Sequence, residues 1–221
     1  MNDALPEGWA DASIGDVTES MKNGLYKPVD AYADNGVACL RMYNIVDGRI
    51  VWKDVKRMTL SAGEVSEYGL VAGDLLVNRV NSRGLVGKAA LIPDHLELWV
   101  FESKNIRLRV RRGAVEPALL NFALLLGGQA YFSQNTQQVV GMASISQPQV
   151  AGFPLRLPPL EEQRRIVAQV AALLAKIRST QERLDTIPNI LKRFRQSVLS
   201  AACEGRLTAD WRADHPHATS G

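Results

Sequence analysis

Leu157–Gly205 reads LPPLEEQRRIVAQVAALLAKIRSTQERLDTIPNILKRFRQSVLSAACEG. Along it Ile166, Val170, Leu173, Ile177, Thr180, Leu184, Ile187, Leu191, Phe194, Val198 and Ala201 succeed one another at alternating steps of four and three, and all but Thr180 are apolar. Such steps average 3.5 residues, which keeps one narrow stripe turned toward a partner helix, so the stretch reads as the seam of a coiled coil. At 1.5 Å per residue the stripe is roughly 53 Å long. A helix folded back on its own domain would show a wider stripe over a shorter run. The ends are marked as well. Pro158 and Pro159 stand where a missing N–H costs nothing, and Glu161 and Glu162 where the helix dipole favours negative charge. Gly205 suits a left-handed cap. Pro188 lies inside the seam, where it costs about 3 kcal/mol. Because the phase carries unchanged from Ile187 to Leu191, a kink or short break is expected there, not a change of partner face.

Outward from this helix, the chain of 221 residues has room for one domain and an extension. The N-terminus MNDALPEGW is acidic and poor in apolar residues, unlike a secretory leader. No apolar run is long enough to span a membrane. Cys39 and Cys203 lie far apart, which suits free thiols and a cytoplasmic location. The net charge is +3, with residues 1–157 near neutral and the excess on the helix and tail. Bulk charge therefore announces no nucleic-acid binder. Local charge does separate: Arg79, Arg83, Lys88, Lys104, Arg107, Arg109, Arg111 and Arg112 crowd residues 77–112.

In order, Ser13 and Asp16 form a capping box for a helix through Ile14, Val17 and Met21, closed by Asn23-Gly24. Strands are expected at Val37–Tyr43 and Arg49–Trp52, turned at Asp47-Gly48. Ser61 and Glu64 cap a short helix ending at Gly69, and strands come next at Leu75–Val80 and Gly87–Ile92. Asn105–Arg112 alternates, with Ile106, Leu108 and Val110 inward and Arg107, Arg109 and Arg111 on a solvated cationic face. Pro117 opens a helix whose Leu119, Phe122, Ala123 and Leu126 share one side and which Gly127-Gly128 ends. Gly141–Ser146 is too small and flexible in composition for a core element. The expected class is α+β: a mixed-sheet domain over 1–157, a long coiled-coil-forming helix over 158–205, and a tail over 206–221.

Nucleotide signatures fail. SRGLVGKA (Ser82–Ala89) lacks the first glycine of a phosphate loop and the hydroxyl residue after its lysine. His95, His215 and His217 do not fall at metal-ligand spacing, so no metal and no cofactor is expected. Asp94, Glu102 and Lys104 spell the carboxylate–carboxylate–lysine order of Mg²⁺-dependent nucleases of the PD-ExK type, a short pattern also natural to a turn and a strand. There is left a set of polar loops: Asn23, Tyr26 and Lys27; Asn78, Arg79, Asn81, Ser82 and Arg83, with Lys88 beyond; Gln137; and Gly141, Met142 and Ser144. Amides pair with adenine and arginine with guanine, so beside a dimer-type helix these loops fit a spaced reader of double-stranded DNA. The same helix on a scaffold without DNA affinity is the other reading.

The runs LPPLEEQRRIVAQVAALLAKI (Leu157–Ile177) and LKRFRQSVLSAACEGRLT (Leu191–Thr208) resemble the conserved helical region of specificity subunits of type I restriction–modification systems. LPEGWADASIGDV, LRMYNIVDGRI and GDLLVNRVNSRGLVGKAALI are similar to the target-recognition domain of that family. The resemblance implies a non-catalytic subunit that selects the DNA site. A modification subunit would methylate adenine at N6, and a restriction subunit would cleave with ATP. Family members typically carry two recognition domains and two helical regions, and this chain carries one of each. It implies either a homodimer across the seam or half of a longer product, since GRLTADWRADHP resembles the segment after the first helical region in longer members.

Overall fold

The computed structural model describes residues 5–94, 97–134, 137–139 and 142–215. In chain order the elements begin with β1 (Ala10–Ser13), α1 (Ile14–Val17), β2 (Thr18–Asn23), β3 (Tyr32–Ala33), β4 (Val37–Leu40), β5 (Ile45–Val46), β6 (Gly48–Ile50) and β7 (Lys56–Met58). Next come α2 (Ala62–Tyr68), β8 (Leu75–Asn78), β9 (Val80–Asn81), β10 (Ala89–Leu91), β11 (Trp99–Phe101), β12 (Asn105–Val110) and α3 (Pro117–Ala123). The last are α4 (Gln129–Gln134), β13 (Gln137–Val139), β14 (Met142–Ser144), α5 (Gln147–Ala151), β15 (Pro154–Leu157), α6 (Leu160–Cys203) and α7 (Ala209–Asp214). This is the expected α+β class with a long helix at its C-terminal side. The chain divides into two compact units, Met1–Ala168 and Gln169–Gly221. Among the described residues no helix is long and apolar enough to cross a membrane.

A six-stranded sheet of order β2-β12-β8-β10-β6-β5 forms the centre of the first unit, hereafter the head. Both of its faces are covered. Leu75, Val77, Ile106 and Leu108 face a core completed by Ile14, Val17, Leu120, Phe132, Val150 and Phe153. Leu76 and Ala90 face a second core with Leu40, Ile45, Leu70 and Phe101. That double covering explains the nearly unbroken apolar run of β8. A four-stranded sheet, β11-β4-β7-β3, and a three-stranded one, β13-β14-β9, flank it.

Local signals hold where they were strongest. Ser13–Asp16 and Ser61–Glu64 both form reciprocal capping boxes. The turn at Asp47-Gly48 is real, with both residues at positive φ (46° and 75°), and a Cβ on Gly48 would meet Leu125.

Several expectations are corrected. The first helix ends at Val17, where the Thr18 hydroxyl donates to the Ile14 carbonyl at 2.6 Å, and Met21 reaches the core from a strand paired with β12. The run expected as one strand to Tyr43 stops at Leu40 and turns through a 3₁₀ segment, Met42–Asn44, so the hairpin joins β5 to β6 instead. The cationic face of β12 is solvated at Arg111 but engaged at Arg107 and Arg109, because β12 is interior to its sheet and Gly69 and Asp74 supply partners. Arg107 is only 6% exposed and donates to the Gly69 carbonyl at 2.9 Å. Arg109 forms a forked pair with Asp74, at 2.8 and 2.7 Å. Gly127-Gly128 does not stop the helix opened by Pro117. The chain passes through a π-turn, Leu124–Gly128, into α4, with Leu120 and Leu124 buried and Leu126 exposed. Met142–Ser144 is a strand, and Ala143 and Ile145 lie in the core, since small side chains fit where β14 meets β9.

Helix α6 is held at its start by Gln163. Its side-chain oxygen accepts the Glu116 N–H at 2.8 Å and its amide donates to the Pro158 carbonyl at 3.0 Å. Arg164 adds ion pairs to Glu116 at 2.8 Å and Glu161 at 2.5 Å. The helix runs 44 residues through Pro188, so of the kink or short break expected there the break does not occur, and Gly205 closes it in the left-handed conformation.

Candidate nucleic-acid interface

Antiparallel register brings three strand ends to one level. Asn23 at the end of β2 lies opposite Ile106, and Asn78 at the end of β8 lies opposite Asn105 at the start of β12. The polar loops found in the sequence leave the sheet from this end.

The ends are clamped by asparagines. The Asn78 amide donates to the Lys104 carbonyl at 3.0 Å and the Asn105 side chain at 3.2 Å, while its oxygen accepts from Asn81 at 2.8 Å. Asn105 donates in turn to the Leu40 carbonyl at 3.5 Å, and Asn81 accepts the Ser82 N–H at 2.9 Å. All three are buried, and buried amides need such partners. Asn78 and Asn81, expected among the DNA-facing residues, therefore hold the loops from inside, because their amides are already bonded and away from solvent.

Backbone bonds tie the neighbouring loops together. Leu25 N–H donates to Phe101 O and Ser103 N–H to Leu25 O, at 3.0 and 2.9 Å. Arg79 N–H donates to Lys104 O at 2.8 Å, and Ile145 N–H to Arg79 O at 2.9 Å. Gly24 has to be glycine here, since a Cβ would collide with the Glu102 carbonyl. The Asn23 side chain, exposed, accepts from Gln147 at 3.1 Å. So the loops 23–27, 79–83, 102–104 and 142–147 share one surface.

The remaining candidates differ in depth. Tyr26, 83% exposed, stands on this surface, and Lys27 beside it pairs with Glu64 at 2.5 Å. That lysine and the Ser61 cap hold the Glu64 carboxyl down to about 2. Ser82 and Arg83 are exposed, and Lys88 is half-buried at the foot of β10. Arg79 is half-buried; one guanidinium nitrogen reaches the Ser103 carbonyl at 3.4 Å, and its Nε has no partner among the described residues. Met142 is exposed and Ser144 half-buried, and Gln137 pairs with Ser144 across β13 and β14. Gly141 lies outside the described residues. Sequence reasoning missed Ser103, Asn105 and Gln147 at this surface and read Lys104 only within a basic stretch and the nuclease pattern, because each sits at a strand or helix boundary. The Ser146–Gln149 capping box, visible as an i, i+3 pair, marks the last of them.

The nuclease pattern gathers no centre. Glu102 uses a carboxylate oxygen to accept the Met42 N–H at 2.8 Å, and among the described residues no group of three His, Cys, Asp or Glu could hold a metal ion. In α6, Ile166 is half-buried against an apolar groove lined by Trp9, Leu119, Phe153 and Leu157. Val170 is half-buried, whereas Leu173, Ile177, Leu184, Ile187, Leu191, Phe194 and Val198 are all exposed.

Residues 6–189 match the family model described as type I restriction modification DNA specificity domain. The chain is 31% identical over 230 aligned positions to the EcoKI specificity subunit of Escherichia coli, covering 96% of this chain and 46% of that one. It is 29% identical over 216 to the StySPI specificity subunit of Salmonella potsdam, covering 97% and 46%. The chain thus spans about half the length of these curated relatives. In fold it is similar to the HsdS subunit from Thermoanaerobacter tengcongensis, with a TM-score of 0.64, 21% identity, and coverage of 91% of this chain and 46% of that one. A chain from a structure of a type I R-M system, described for its assembly and conformational transition, gives 0.66 at 21% identity, covering 91% and 47%.

Proposed function

The chain belongs to the type I restriction–modification DNA specificity family, and from that membership we propose that it selects the DNA site for a complex whose other subunits do the chemistry. The observation that carries the reading is the clamped end of the six-stranded sheet, which holds several polar loops at one level while leaving their outer side chains free. Arg79, Arg83 and Lys88 are assigned to phosphates, where they fix position without reading sequence. Tyr26, Ser82, Gln137, Met142 and Ser144 are assigned to base edges, with Asn23 and Lys27 at the margin.

The partners come from the same reading: double-stranded DNA, a modification subunit methylating adenine at N6, and an ATP-dependent restriction subunit. Two copies pair through the exposed stripe of α6, presenting two heads to an inverted repeat with a fixed spacer. The chain itself supplies no catalytic group and holds no cofactor.

The test is to map N6-methyladenine in a host carrying this chain and its modification partner. The expected pattern is a two-part inverted repeat that disappears when the chain is deleted. Methylation without a shared sequence, or unchanged by the deletion, overturns the reading. The exposed stripe alone would also serve a scaffold. That alternative predicts self-association with no salt-dependent shift of any duplex. Removing residues 158–221 should leave a weakly binding monomer by sedimentation. A full-length chain as monomeric as the shortened one would remove the dimer.

A further inference from the structure

The turn Arg41–Asn44 lies against the same surface as the loops above. Glu102 N–H donates to the Leu40 carbonyl at 3.1 Å, and the Glu102 carboxylate accepts the Met42 N–H at 2.8 Å. Glu102 also bridges Leu25 and precedes Ser103, so the turn adjoins both the loop bearing Tyr26 and the Lys104–Arg79 contact.

The turn is fixed from within as well. The side chain of Asn44, wholly buried, accepts the Arg41 N–H at 2.9 Å and donates to the carbonyls of Val51 and Lys53 at 3.1 and 2.9 Å. The Asn44 N–H closes the turn on the Arg41 carbonyl at 2.9 Å. These bonds leave the backbone few alternatives. Yet the side chain at the apex is an aromatic left in water: Tyr43 is 64% exposed, with the Arg41 guanidinium 5.4 Å from its ring centroid.

A rigidly presented ring with a cation on one face is a stacking surface whose ordering cost is already met. Its surroundings favour a nucleic acid over a protein partner. The neighbouring loops carry Arg79 and Lys104, and the acid bonded to the turn, Glu102, is directed onto the Met42 amide. A protein-docking patch would instead show an apolar centre.

We propose that Tyr43, backed by Arg41, is a DNA-contacting element of the head: its ring stacks on a base of the recognised duplex at a step opened by insertion. Aromatic and apolar side chains act so when they wedge between base pairs, and stacking tolerates any base while favouring the more easily opened steps. Arg41 holds the ring from behind and extends the stack. This rests on the reading of the sheet's end as the DNA-facing surface.

The experiment uses the full chain with its modification partner, and a duplex carrying the sequence found by methylation mapping, compared with a scrambled duplex. Tyr43→Ala should weaken binding to the mapped duplex by about tenfold. Its salt dependence should equal that of the wild type, because the ring neutralises no phosphate. Tyr43→Phe should bind as the wild type does. A 5-iodouracil duplex should photocrosslink to the peptide containing Tyr43. The melting temperature should not change, since the side chain is mostly in water. Wild-type affinity in Tyr43→Ala overturns the inference alone. Failure of the wild-type complex to distinguish the two duplexes overturns the DNA-recognition reading, and this inference with it.

Discussion

In the strand Leu75–Asn78 every side chain is buried, whereas between Leu173 and Leu199 nine large aliphatic or aromatic side chains of the long helix are exposed. The residue types are alike and their surroundings are opposite. In the cores of the head the apolar side chains meet one another, and the buried amides meet each other. On the helix the stripe that fixes the sequence reading has no such counterpart among its own residues. The difference teaches where each region gets its stability. The head's is intramolecular and independent of concentration. Seven seam residues of the helix, from Leu173 to Val198, stand exposed; an amphipathic helix normally takes its stability from packing of that face, and the proposed pairing of two copies would supply it.

The two cysteines give the largest contrast. Cys39 is fully buried, and burial pushes its thiol up to about 12; Cys203 is exposed. A maleimide at neutral pH should label Cys203 within minutes and Cys39 slower by a factor of about a thousand or more, until denaturant opens the head. Equal labelling rates would show that the head is not closed as described. Next comes the stripe. Leu184→Asp with Leu191→Asp removes two apolar residues from each copy of the seam, at about 2 kcal/mol for each buried leucine. Self-association measured by sedimentation should fall more than about a hundredfold. A wild-type chain that stays monomeric at every accessible concentration would break the comparison at its helical end.

Within the head, Asn78→Ala strands the Asn81 amide and the Lys104 carbonyl. Urea unfolding should lose about 2–3 kcal/mol, while Arg83→Ala, on the exposed part of the same loop, should lose under about 0.5. Comparable losses would mean that the two sides of the loop are not divided as proposed. The smallest effect concerns acid. Glu64 is ionised more readily in the folded head than in an open chain, so its contribution is complete above the ordinary carboxylate range and is lost as pH falls through about 2. Glu64→Gln should therefore narrow the stability difference between neutral and acid conditions, with the change falling from roughly pH 4.5 downward. An acid profile identical to the wild type would remove the Lys27–Glu64 pair from the account.

Much of this was legible where the physics is local. The capping boxes at Ser13 and Ser61, the turn at Asp47-Gly48 and the ends of α6 each depend on residues three or four apart. The rest depends on partners distant in sequence. Asn78 reads as a loop residue and Asn105 as the first residue of a strand, because nothing near either announces the other. Arg107 and Arg109 alternate as a solvated face would, and only Gly69 and Asp74, supplied from α2 and the turn after it, reverse that reading. Met21 continues the helical spacing of Ile14 and Val17 by coincidence, since a strand returns it to the same core. At the candidate site the segments were legible and their depth was not: pattern shows which residues are polar, but pairing decides which of them are consumed inside.

The asparagine clamp has a consequence for how such a head changes over generations. Its bonds run to main-chain carbonyls and to one another, so they ask nothing of the outward side chains at Ser82 or Met142. Those positions can be rewritten one at a time while the frame beneath stays folded. If those positions read bases as proposed, a new target sequence is then reachable by exchanging surface letters, with no intermediate that has to pass through an unfolded ancestor.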